Sequence, residues 1–504
     1  MESLIRTELA KLELLPEVPA ISFKEWSHRS KEEGFRDCEK TDGERTVTYK
    51  ELLKKLRCCA ALFQAHNVGP GDKVYCHFEN SIEAFVALYS VGVAGATVVL
   101  SDPEYKEGTA YFAVDDVPGF VPICNYATYN EEDYRGVTRN PDRVLVMAYT
   151  SGTTGQSKSV EITEERFLRK VCGMEVTGIY TANDVCLACE YLTIYLSFSF
   201  NFKFICCGAR LVISDRYWSV HEFISTATSQ KVSLLMTTPS VLYLLASSVA
   251  VTGTKLPSLS KVVSLGATLP KSTAGLVLST LKPKEFRNVY GLSEASGVVC
   301  CPPVGETCYD NVGFPVADTQ VKITDPQSGK ALPALQRGEI MVRSPNIMIG
   351  YYNHGQPTGA AVDDDGWLRT GDVGYYDHSG RLFVTERLKS VIKCLDTKVE
   401  PFEVEQCILE SRHVSEVAVL GVPHAVLGEA PAAIVVPRQA LKEDEKRHIA
   451  QLIKDHVAGR LAVYKGLHGG IVFADQLPKN KRGKVLKRHL MAEFVKLKKM
   501  GIFY

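Results

Sequence analysis

The sequence predicts an α/β fold with a large N-terminal domain and a small C-terminal domain, and three observations lead to this class. Short apolar runs alternate with amphipathic helical patterns through the first half of the chain, which is typical of parallel sheets covered by helices. Residues 144–149 form a continuous apolar run, as expected for a strand buried on both faces. From about Asp310 the pattern becomes β-rich, and a new α+β pattern begins beyond Glu386.

The predicted elements follow from hydrophobic periodicity. Residues 50–63 carry leucines, Ala60 and Phe63 at helical spacing. The predicted strands of the N-terminal domain are residues 73–77, 96–100, 144–149, 232–236 and 261–264. Residues 310–382, with short alternating strands and many turn residues, predict a distorted β subdomain. The C-terminal domain is predicted to hold strands at 417–420 and 433–436 and an amphipathic helix at 445–461.

Composition excludes several classes of protein. The 504 residues are 45% apolar and 23% charged, which excludes a disordered chain. Lys plus Arg equals Asp plus Glu at 58 each, so no global charge favours nucleic acid or an anionic membrane. The apolar stretch 85–100 is too short for a membrane span. A charged N-terminus and a C-terminus without Ser-Lys-Leu predict an intracellular, cytoplasmic protein.

The cysteines predict free thiols in a reducing compartment. There are 15 of them, an odd number, without a regular framework. Cys186 and Cys189 form a Cys-x-x-Cys pair, but no second pair stands at zinc-finger spacing. We therefore expect buried thiols on a strand at this position and no zinc site.

A loop rich in Gly, Ser and Thr follows the apolar run 144–149. Its backbone N–H groups and hydroxyls, together with Lys158, suit phosphate binding. A Walker A pattern fits from Gly152 to Ser159 except that Ser157 takes the place of the second glycine. The residues alone therefore leave a phosphate loop, including that of a P-loop kinase, and an ordinary flexible loop as alternatives.

Five motifs in order decide between these alternatives. Tyr149-Thr-Ser-Gly-Thr-Thr-Gly-Gln-Ser-Lys158 closely resembles the phosphate loop of the adenylate-forming superfamily, which includes acyl-CoA synthetases, 4-coumarate–CoA ligases and beetle luciferases. The segments that resemble its later motifs are Asn288-Val-Tyr-Gly-Leu-Ser-Glu294, Trp367-Leu-Arg-Thr-Gly-Asp372, Glu386-Arg-Leu-Lys-Ser-Val-Ile-Lys393 and Pro478-Lys-Asn-Lys-Arg-Gly-Lys484. The resemblance extends from about Thr46 to Lys487.

The resemblance implies that the chain binds ATP and Mg²⁺. The residues implied to contact the nucleotide are Ser151, Gly152, Thr153, Thr154, Gly155, Lys158, Gly266, Ala267, Asn288, Val289, Tyr290, Gly291, Ser293, Asp372, Arg387 and Lys484. Among them, Tyr290 would stack on adenine, and Asp372 and Arg387 would hold the ribose. Glu294 would hold magnesium, which prefers hard oxygen ligands.

The resemblance also implies catalytic groups, an acid pocket and a division into domains. The catalytic residues would be Lys484, Glu294, Lys393 and Thr153, with Lys484 stabilising charge during adenylation. The pocket would be formed by Thr193, Ile194, Phe198, Leu265 and Gly297, and its apolar members favour a medium-chain fatty or aryl acid. An N-terminal adenylation domain would span residues 1–385, a hinge 386–389 and a mobile lid domain 390–504.

Three departures from the family pattern bear on activity. Ser157 and Ser159 replace the usual proline and glycine of the phosphate loop. Thr193 and Ile194 stand where luciferases have a histidine pair, which disfavours light emission. Asp396 stands where the family has a glycine beside the CoA tunnel, so its carboxylate would repel CoA.

The predicted function is therefore ATP-dependent activation of a small carboxylic acid to acyl-AMP, followed by transfer to CoA. A degenerate member that binds nucleotide or acid without turnover is the main alternative. A luciferase-type monooxygenase and a P-loop kinase are weaker ones. The sequence carries no signal of oligomeric state.

Overall fold

A computed structural model gives the fold. The structure describes residues 19–24, 44–76, 78, 80–100, 112–113, 121–150, 158–188, 190–214, 220–352, 361–394, 397–424, 426–479, 485–500 and 503–504. The α-helices of this part of the chain are α1 Tyr49–Ala65, α2 Ile82–Val93, α3 Glu164–Gly173, α4 Tyr195–Cys206, α5 Val220–Ser229, α6 Pro239–Thr252, α7 Lys271–Thr280, α8 Pro401–Leu409, α9 Glu443–Ala458 and α10 Lys487–Lys499.

The strands are numbered in chain order. They are β1 Pro19–Lys24, β2 Glu44–Thr48, β3 Lys73–Cys76, β4 Thr97–Leu100, β5 Phe112–Ala113, β6 Val121–Pro122, β7 Val144–Thr150, β8 Lys158–Thr163, β9 Val185–Ala188, β10 Arg210–Ser214, β11 Leu234–Thr237, β12 Lys261–Ser264 and β13 Glu285–Asn288. They continue as β14 Tyr290–Leu292, β15 Gly297–Cys301, β16 Phe314–Pro315, β17 Gln320–Thr324, β18 Gly338–Arg343, β19 Gly350–Tyr351, β20 Leu368–Tyr376, β21 Leu382–Arg387, β22 Ile392–Cys394, β23 Thr397–Val399, β24 Val414–His424, β25 Gly428–Pro437 and β26 Ile471–Phe473.

Two mixed sheets form the N-terminal part, as the alternating pattern predicts. The seven-stranded sheet has the order β13-β12-β11-β9-β10-β1-β2, and the five-stranded sheet has the order β19-β8-β7-β4-β3. Most neighbouring strands of the first sheet are parallel, and β2 pairs antiparallel at its edge. The carboxyl ends of β11, β12 and β13 therefore meet at one edge of the sheet, where open α/β sheets bind ligands.

The remaining sheets agree with the β-rich pattern predicted from about Asp310 and the α+β pattern predicted beyond Glu386. Strands β17, β18 and β20 lie inside the predicted β subdomain, and β21, which extends it to Arg387, completes their antiparallel sheet. The C-terminal sheet contains β22 to β26, and its long β24–β25 pair extends well beyond the two short runs that the sequence predicts. Apolar runs mark only the buried centres of these strands, because their ends carry Pro, His, Glu and Gly.

Local signals in the sequence explain where helix α1 begins. Thr48 Oγ1 accepts a hydrogen bond from Glu51 N at 3.3 Å, and Glu51 Oε2 accepts one from Thr48 N at 2.8 Å. This capping box satisfies two backbone donors at the helix start. The helix then buries the predicted apolar face, including Leu52 and Phe63.

The buried apolar residues form separate clusters on either side of residues 386–391. Two clusters, with α1 to α7, involve residues up to Leu382. Two others involve residues from Ile392 onward. The domain bounds and the hinge at 386–389 stay predictions. In the described part of the chain, no helix combines the length and apolarity that a bilayer span requires.

The cysteines agree with the predicted free thiols. All thirteen whose side chains the structure describes are unbridged, and Cys186 is buried on β9. Cys189 lies outside the described residues. Burial raises the pKa of the Cys76 and Cys59 thiols to about 12, so these groups behave as small apolar side chains.

Candidate active site

The strand ends of the seven-stranded sheet bring the predicted adenine-side residues together. Leu265 N donates to Thr237 O at 3.2 Å, and Val289 N donates to Ser264 O at 2.9 Å. These bonds hold the segments that follow β12 and β13 side by side. Gly266, at φ +81°, turns the chain directly after Leu265. The exposed Ala267 follows it.

Tyr290, Asp372 and Arg387 form a connected polar chain. The Tyr290 hydroxyl donates to Asp372 Oδ2 at 2.7 Å. Arg387 Nε lies 2.7 Å from Asp372 Oδ1. Thr370 supports both partners, because its Oγ1 accepts from Asp372 N at 3.0 Å and its carbonyl oxygen accepts from Arg387 Nη1 at 3.2 Å. The structure thus joins two motifs that lie about eighty residues apart in sequence.

The electrostatics of the Tyr290–Asp372–Arg387 group determine which of its side chains donate hydrogen bonds and which accept them. Burial, and then the neighbouring Asp372 carboxylate, raise the pKa of Tyr290 well above its usual value. The phenol therefore stays protonated and donates to a charged acceptor, which is a strong type of hydrogen bond. Asp372 is only 6% exposed, so its pairing with Arg387 offsets the cost of burying the carboxylate.

The Asn288–Ser293 segment is shaped by a close approach of two strands. A Cβ on Gly291 would lie 2.6 Å from Gly297 O on the paired strand β15, so any other residue would force β14 and β15 apart. Asn288 and Ser293 are half-buried on either side of this strand. Ser293 begins a 3-10 turn that also contains Glu294.

Glu294 has a neighbour that the sequence reasoning missed. The Tyr351 hydroxyl donates to Glu294 Oε1 at 3.1 Å, and Lys158 Nζ lies 4.8 Å from the centre of the Tyr351 ring. Burial and Glu294 both raise the pKa of Tyr351. The Gly350–Tyr351 strand pairs with β8, and only this pairing places Tyr351 between Glu294 and Lys158.

Glu294 fits the chemistry of a magnesium site that also uses substrate oxygens. Magnesium in nucleotide enzymes commonly takes one or two carboxylates and completes its shell with phosphate oxygens and water. Within the ranges the structure describes, no cluster of three His, Cys, Asp or Glu side chains could hold a metal. Glu294 is the single carboxylate that these residues offer to such a site.

The predicted phosphate loop joins β7 to β8. Ser151, Gly152, Thr153, Thr154 and Gly155 lie outside the described residues, whereas Lys158 begins β8 and is the register partner of Thr150. A Walker A loop leads directly into a helix, but here an antiparallel strand follows. The P-loop kinase alternative is therefore wrong.

Three of the predicted acid-pocket residues, Thr193, Ile194 and Phe198, lie at or near the start of α4. Ile194 is the N-cap residue of α4, and Thr193 precedes it, buried. The Tyr195 hydroxyl donates to Ser296 O at 3.3 Å, which connects this segment to Gly297. Phe198 lies deeper, since its ring stacks on Tyr89 at 5.0 Å in the apolar core. Their roles in binding an acid stay predictions.

The residues predicted for the second half-reaction lie near the start of the C-terminal part. Lys393 is exposed on β22, and its backbone N–H donates to Glu429 Oε2 at 2.7 Å. Lys484 and Asp396 lie outside the described residues. Glu386 is buried, and its Oε2 accepts from Phe402 N at 3.2 Å, so a predicted hinge residue contacts the start of α8.

Comparison with known sequence families agrees with this geometry. The AMP-binding enzyme family matches residues 23–119 and 121–352, which carry the strand-end segments, Glu294 and Tyr351. The AMP-binding enzyme C-terminal domain matches residues 403–484. The chain belongs to the adenylate-forming AMP-binding enzymes. This membership confirms the family that the five motifs predict.

This AMP-binding enzyme is similar in sequence to curated relatives with two different activities. It is 28% identical over 540 residues to a 4-coumarate–CoA ligase of Pinus taeda, covering 97% of both chains. It is 30% identical over 397 residues to a luciferin 4-monooxygenase of Photinus pyralis, covering 77% of this chain and 71% of the relative.

Solved structures share the fold over nearly the whole chain. ATP-bound MatB from Rhodopseudomonas palustris superposes with a TM-score of 0.82 at 22% identity, covering 97% of this chain and 98% of that one. The o-succinylbenzoate coenzyme A synthetase MenE from Bacillus subtilis, in complex with ATP and magnesium, gives 0.78 at 22% identity, covering 96% and 98%. These likenesses confirm the predicted two-part α/β architecture.

Proposed function

We propose that the protein activates a small carboxylic acid with ATP and then transfers the acyl group to CoA. The observation that carries the proposal is the Tyr290–Asp372–Arg387 chain, which offers an aromatic face, a carboxylate and a guanidinium at the strand ends of an AMP-binding enzyme. A ribose needs an acceptor for its two hydroxyls, and Asp372 supplies it. The ligase relatives, which act on 4-coumarate and o-succinylbenzoate, support this reaction class.

In the first half-reaction, a carboxylate oxygen of the acid attacks the α-phosphorus of ATP, and pyrophosphate leaves. Ser293 would contact the α-phosphate, and the hydroxyls of Thr153 and Thr154 would contact the other phosphates. Lys484 would neutralise charge that develops between the carboxylate and the α-phosphate. A magnesium ion held by Glu294, when bound, would neutralise phosphate charge. Catalysis is then mainly positioning and electrostatic stabilisation.

In the second half-reaction, the CoA thiolate attacks the acyl-AMP carbonyl, and AMP leaves. The lid, residues 390–504, would turn about residues 386–389 so that Lys393 replaces Lys484 at the site. Asp396 is unfavourable to this step, because its carboxylate would face a polyanionic acceptor. The acceptor is therefore tested separately from adenylation. Thr193 and Ile194 argue against a luciferase reaction.

We also propose a class of acid and a cellular compartment for the reaction. Leu265 and Val289 are buried beside the strand ends and favour a medium-chain fatty or aryl acid. The free thiols of the described cysteines suit a reducing, intracellular compartment.

The test is acid-dependent exchange of pyrophosphate into ATP over a panel of fatty and aryl acids, with thioester formation scored in parallel. We expect exchange that requires an acid and falls by roughly 100-fold or more in Lys484→Ala. Lys496→Ala, which removes an exposed lysine of α10 that pairs with Glu493, is the matched control. ATP binding without exchange for any acid would favour the degenerate alternative. Exchange without thioester would point to Asp396.

A further inference from the structure

Three helices cover one face of the seven-stranded sheet, and their last residues lie at the same edge of it. Helices α5, α6 and α7 share one apolar cluster with β11 and β12, and α6 packs against the other two helices. Each helix leads into one strand of the parallel series β11, β12 and β13. The three connections therefore lie at the amino-terminal edge of these strands, opposite the edge that holds the candidate active site.

Backbone hydrogen bonds hold these connections side by side. Ser260 N donates to Ser233 O at 2.9 Å, and Glu285 N donates to Ser260 O at 3.0 Å. Ser233 precedes β11, Ser260 precedes β12, and Glu285 is the first residue of β13. The segments that lead up to the three strands are consequently neighbours along the edge.

These connections carry four lysines and no carboxylate. Lys231 lies in the first, Lys255 in the second, and Lys282 and Lys284 in the third. All four are exposed, and among the described residues none pairs its ammonium group with an acceptor. From residue 220 to residue 284 the only carboxylate side chain is that of Glu222, which lies in the first turn of α5, at the far end of that helix. The edge is therefore positively charged although the whole chain is neutral.

Two carboxylates at the same edge do not cancel this charge. Asp184, which precedes β9, lies 2.8 Å from Lys261 Nζ, and Glu285 lies 3.1 Å from Arg287 Nη2. Each carboxylate is thus neutralised by a cation that is not one of the four exposed lysines.

Two of the exposed lysines stand where glycine is the usual residue. In the turns that end α5 and α7, Lys231 has φ +53° and Lys282 has φ +49°, whereas Gly253 takes the corresponding place after α6 at φ +68°. The left-handed conformation is unfavourable for a residue with a Cβ and easily adopted by glycine. A positive charge is therefore present at these two positions although the local backbone favours glycine.

An exposed apolar stripe on α6 borders the lysines. This helix has 14 residues and no charged side chain. Leu244 is 55% exposed and Val251 is 88% exposed, and their spacing of seven residues places both on one face. Val251 lies in the last turn, next to the connection that carries Lys255. The surface therefore combines exposed apolar side chains with adjacent positive charge.

We propose that this surface docks the protein on an anionic phospholipid bilayer. The residues of this docking surface are Lys231, Lys255, Lys282, Lys284, Leu244 and Val251. Its lysines attract the anionic headgroups, and its two apolar side chains enter the boundary between headgroups and acyl chains. A second copy of the chain fits this surface less well, because a two-fold contact would bring the lysines of one copy close to those of the other.

Docking through this edge leaves the candidate active site open. The site lies at the carboxyl ends of the same parallel strands, so the bilayer and the nucleotide would be at opposite edges of the sheet. The inference goes beyond the proposed function and does not depend on it.

The experiment is co-sedimentation of the full-length protein with vesicles of phosphatidylcholine, either alone or with about one third phosphatidylserine. We expect binding to the anionic vesicles only, and weaker binding as the salt concentration rises. Lys231→Gly combined with Lys282→Gly should lower the partition coefficient roughly 10-fold or more, since each lysine near a bilayer contributes about 5-fold. Leu244→Ser combined with Val251→Ser should also lower it, because less apolar surface enters the bilayer.

Lys54→Gln combined with Lys330→Gln is the matched control. It removes two exposed lysines from other parts of the chain and changes the net charge by the same amount. The partition coefficient should stay nearly unchanged. The paired glycine substitutions should keep or raise the urea midpoint, because glycine suits the left-handed positions. Weaker binding would then not be caused by unfolding.

Each outcome supports or overturns the bilayer as the partner. Absence of binding to anionic vesicles at low salt, or equal losses in the glycine pair and the control pair, would overturn the proposal. Binding that depends on the lysines but not on Leu244 and Val251 would assign the surface to a soluble polyanion or an acidic protein instead. Self-association that the paired serine substitutions abolish, without vesicle binding, would assign it to a second copy. Pyrophosphate exchange by the same preparations tests the proposed function separately.

Discussion

A single carboxylate, Asp372, organises the predicted nucleotide side of the site. It accepts from the Tyr290 hydroxyl and pairs with Arg387, each at 2.7 Å. The motifs predict a stacking tyrosine and a ribose carboxylate as separate features. Their direct bond arises because β14 and β20 approach each other in the folded chain, so we expect a change in Tyr290 to alter the predicted ribose position.

We predict that Tyr290→Phe weakens ATP use while keeping the aromatic face. The variant loses the hydrogen bond to Asp372 and leaves a buried carboxylate one donor short. The free energy of unfolding should fall by about 1–3 kcal/mol, and KM for ATP should rise by roughly 10-fold. Urea unfolding and pyrophosphate exchange measure the two effects.

Tyr375→Phe is the matched control for this prediction. Tyr375 lies on β20, the strand that carries Asp372, and its ring stacks on Phe383 at 4.8 Å. Removing its hydroxyl should leave KM for ATP unchanged. Equal effects of the two substitutions on KM would contradict a specific role for the Tyr290–Asp372 bond.

At the scale of elements, helix α3 carries an unusual buried lysine. Lys170 is 3% exposed, and its Nζ finds no hydrogen-bond partner among the described residues. Burial lowers the pKa of Lys170 to about 8. The helix therefore buries a cation on its packed face near Cys300, and this burial lowers the free energy of unfolding.

We predict that Lys170→Met stabilises the protein at neutral pH. Below about pH 8 the lysine is charged in both folded and unfolded chains, so the burial penalty is complete, on the order of 3 kcal/mol. The penalty declines between about pH 8 and pH 10.5, where only the folded-state amine is neutral, and vanishes above that range. Urea unfolding at pH 7 and pH 10 measures the difference.

Lys284→Met provides the comparison, because Lys284 is exposed. It should change stability by less than about 0.5 kcal/mol at either pH. A loss of stability in Lys170→Met at pH 7 would show that the buried amine has a stabilising partner, and the prediction would fail.

At the scale of the whole molecule, a few polar contacts join α8 to the N-terminal part. Arg337 Nη1 lies 2.9 Å from Glu400 Oε1, next to the contact of Glu386 with Phe402 N. Lys271 N also donates to Gln406 Oε1 at 3.2 Å. Burial raises the pKa of Glu400 and Arg337 opposes this shift, so the carboxylate depends on its partner across the boundary.

We predict that Arg337→Ala weakens the attachment of α8 to the N-terminal part. The buried Glu400 carboxylate would lose its cation, which is costly when the group stays buried. Residues 386–389 should then be exposed more often, and trypsin should cut after Arg387 or Lys389 roughly 10-fold faster. Limited proteolysis with mass spectrometry of the fragments measures the rate.

Arg343→Ala tests whether this effect is specific. Arg343 is exposed on β18 and hydrogen-bonds Gln320 within the same sheet. Its removal should leave the cleavage rate unchanged. A similar acceleration in both variants would show general destabilisation of the β sheet rather than release of α8.

The alternating pattern of the N-terminal half predicts its parallel strands well, because continuous apolar runs and helical periodicity are local properties. The β12 strand, for example, coincides with the predicted residues 261–264. The long β24 and β25 strands are only partly predicted, since their polar ends gain strand structure by pairing with each other. Tyr351 is missed because nothing in its own neighbourhood in the sequence signals proximity to Glu294.

The sequence by itself determined the family and the reaction class, because the motifs carry the chemical groups in a recognisable order. Only the tertiary structure decided which of these groups touch. In the folded chain the Tyr290 hydroxyl hydrogen-bonds Asp372, the Tyr351 hydroxyl hydrogen-bonds Glu294, and Glu190 lies next to Thr237. Such contacts depend on strand order and register, which bring distant residues to one edge of a sheet and which no local pattern encodes.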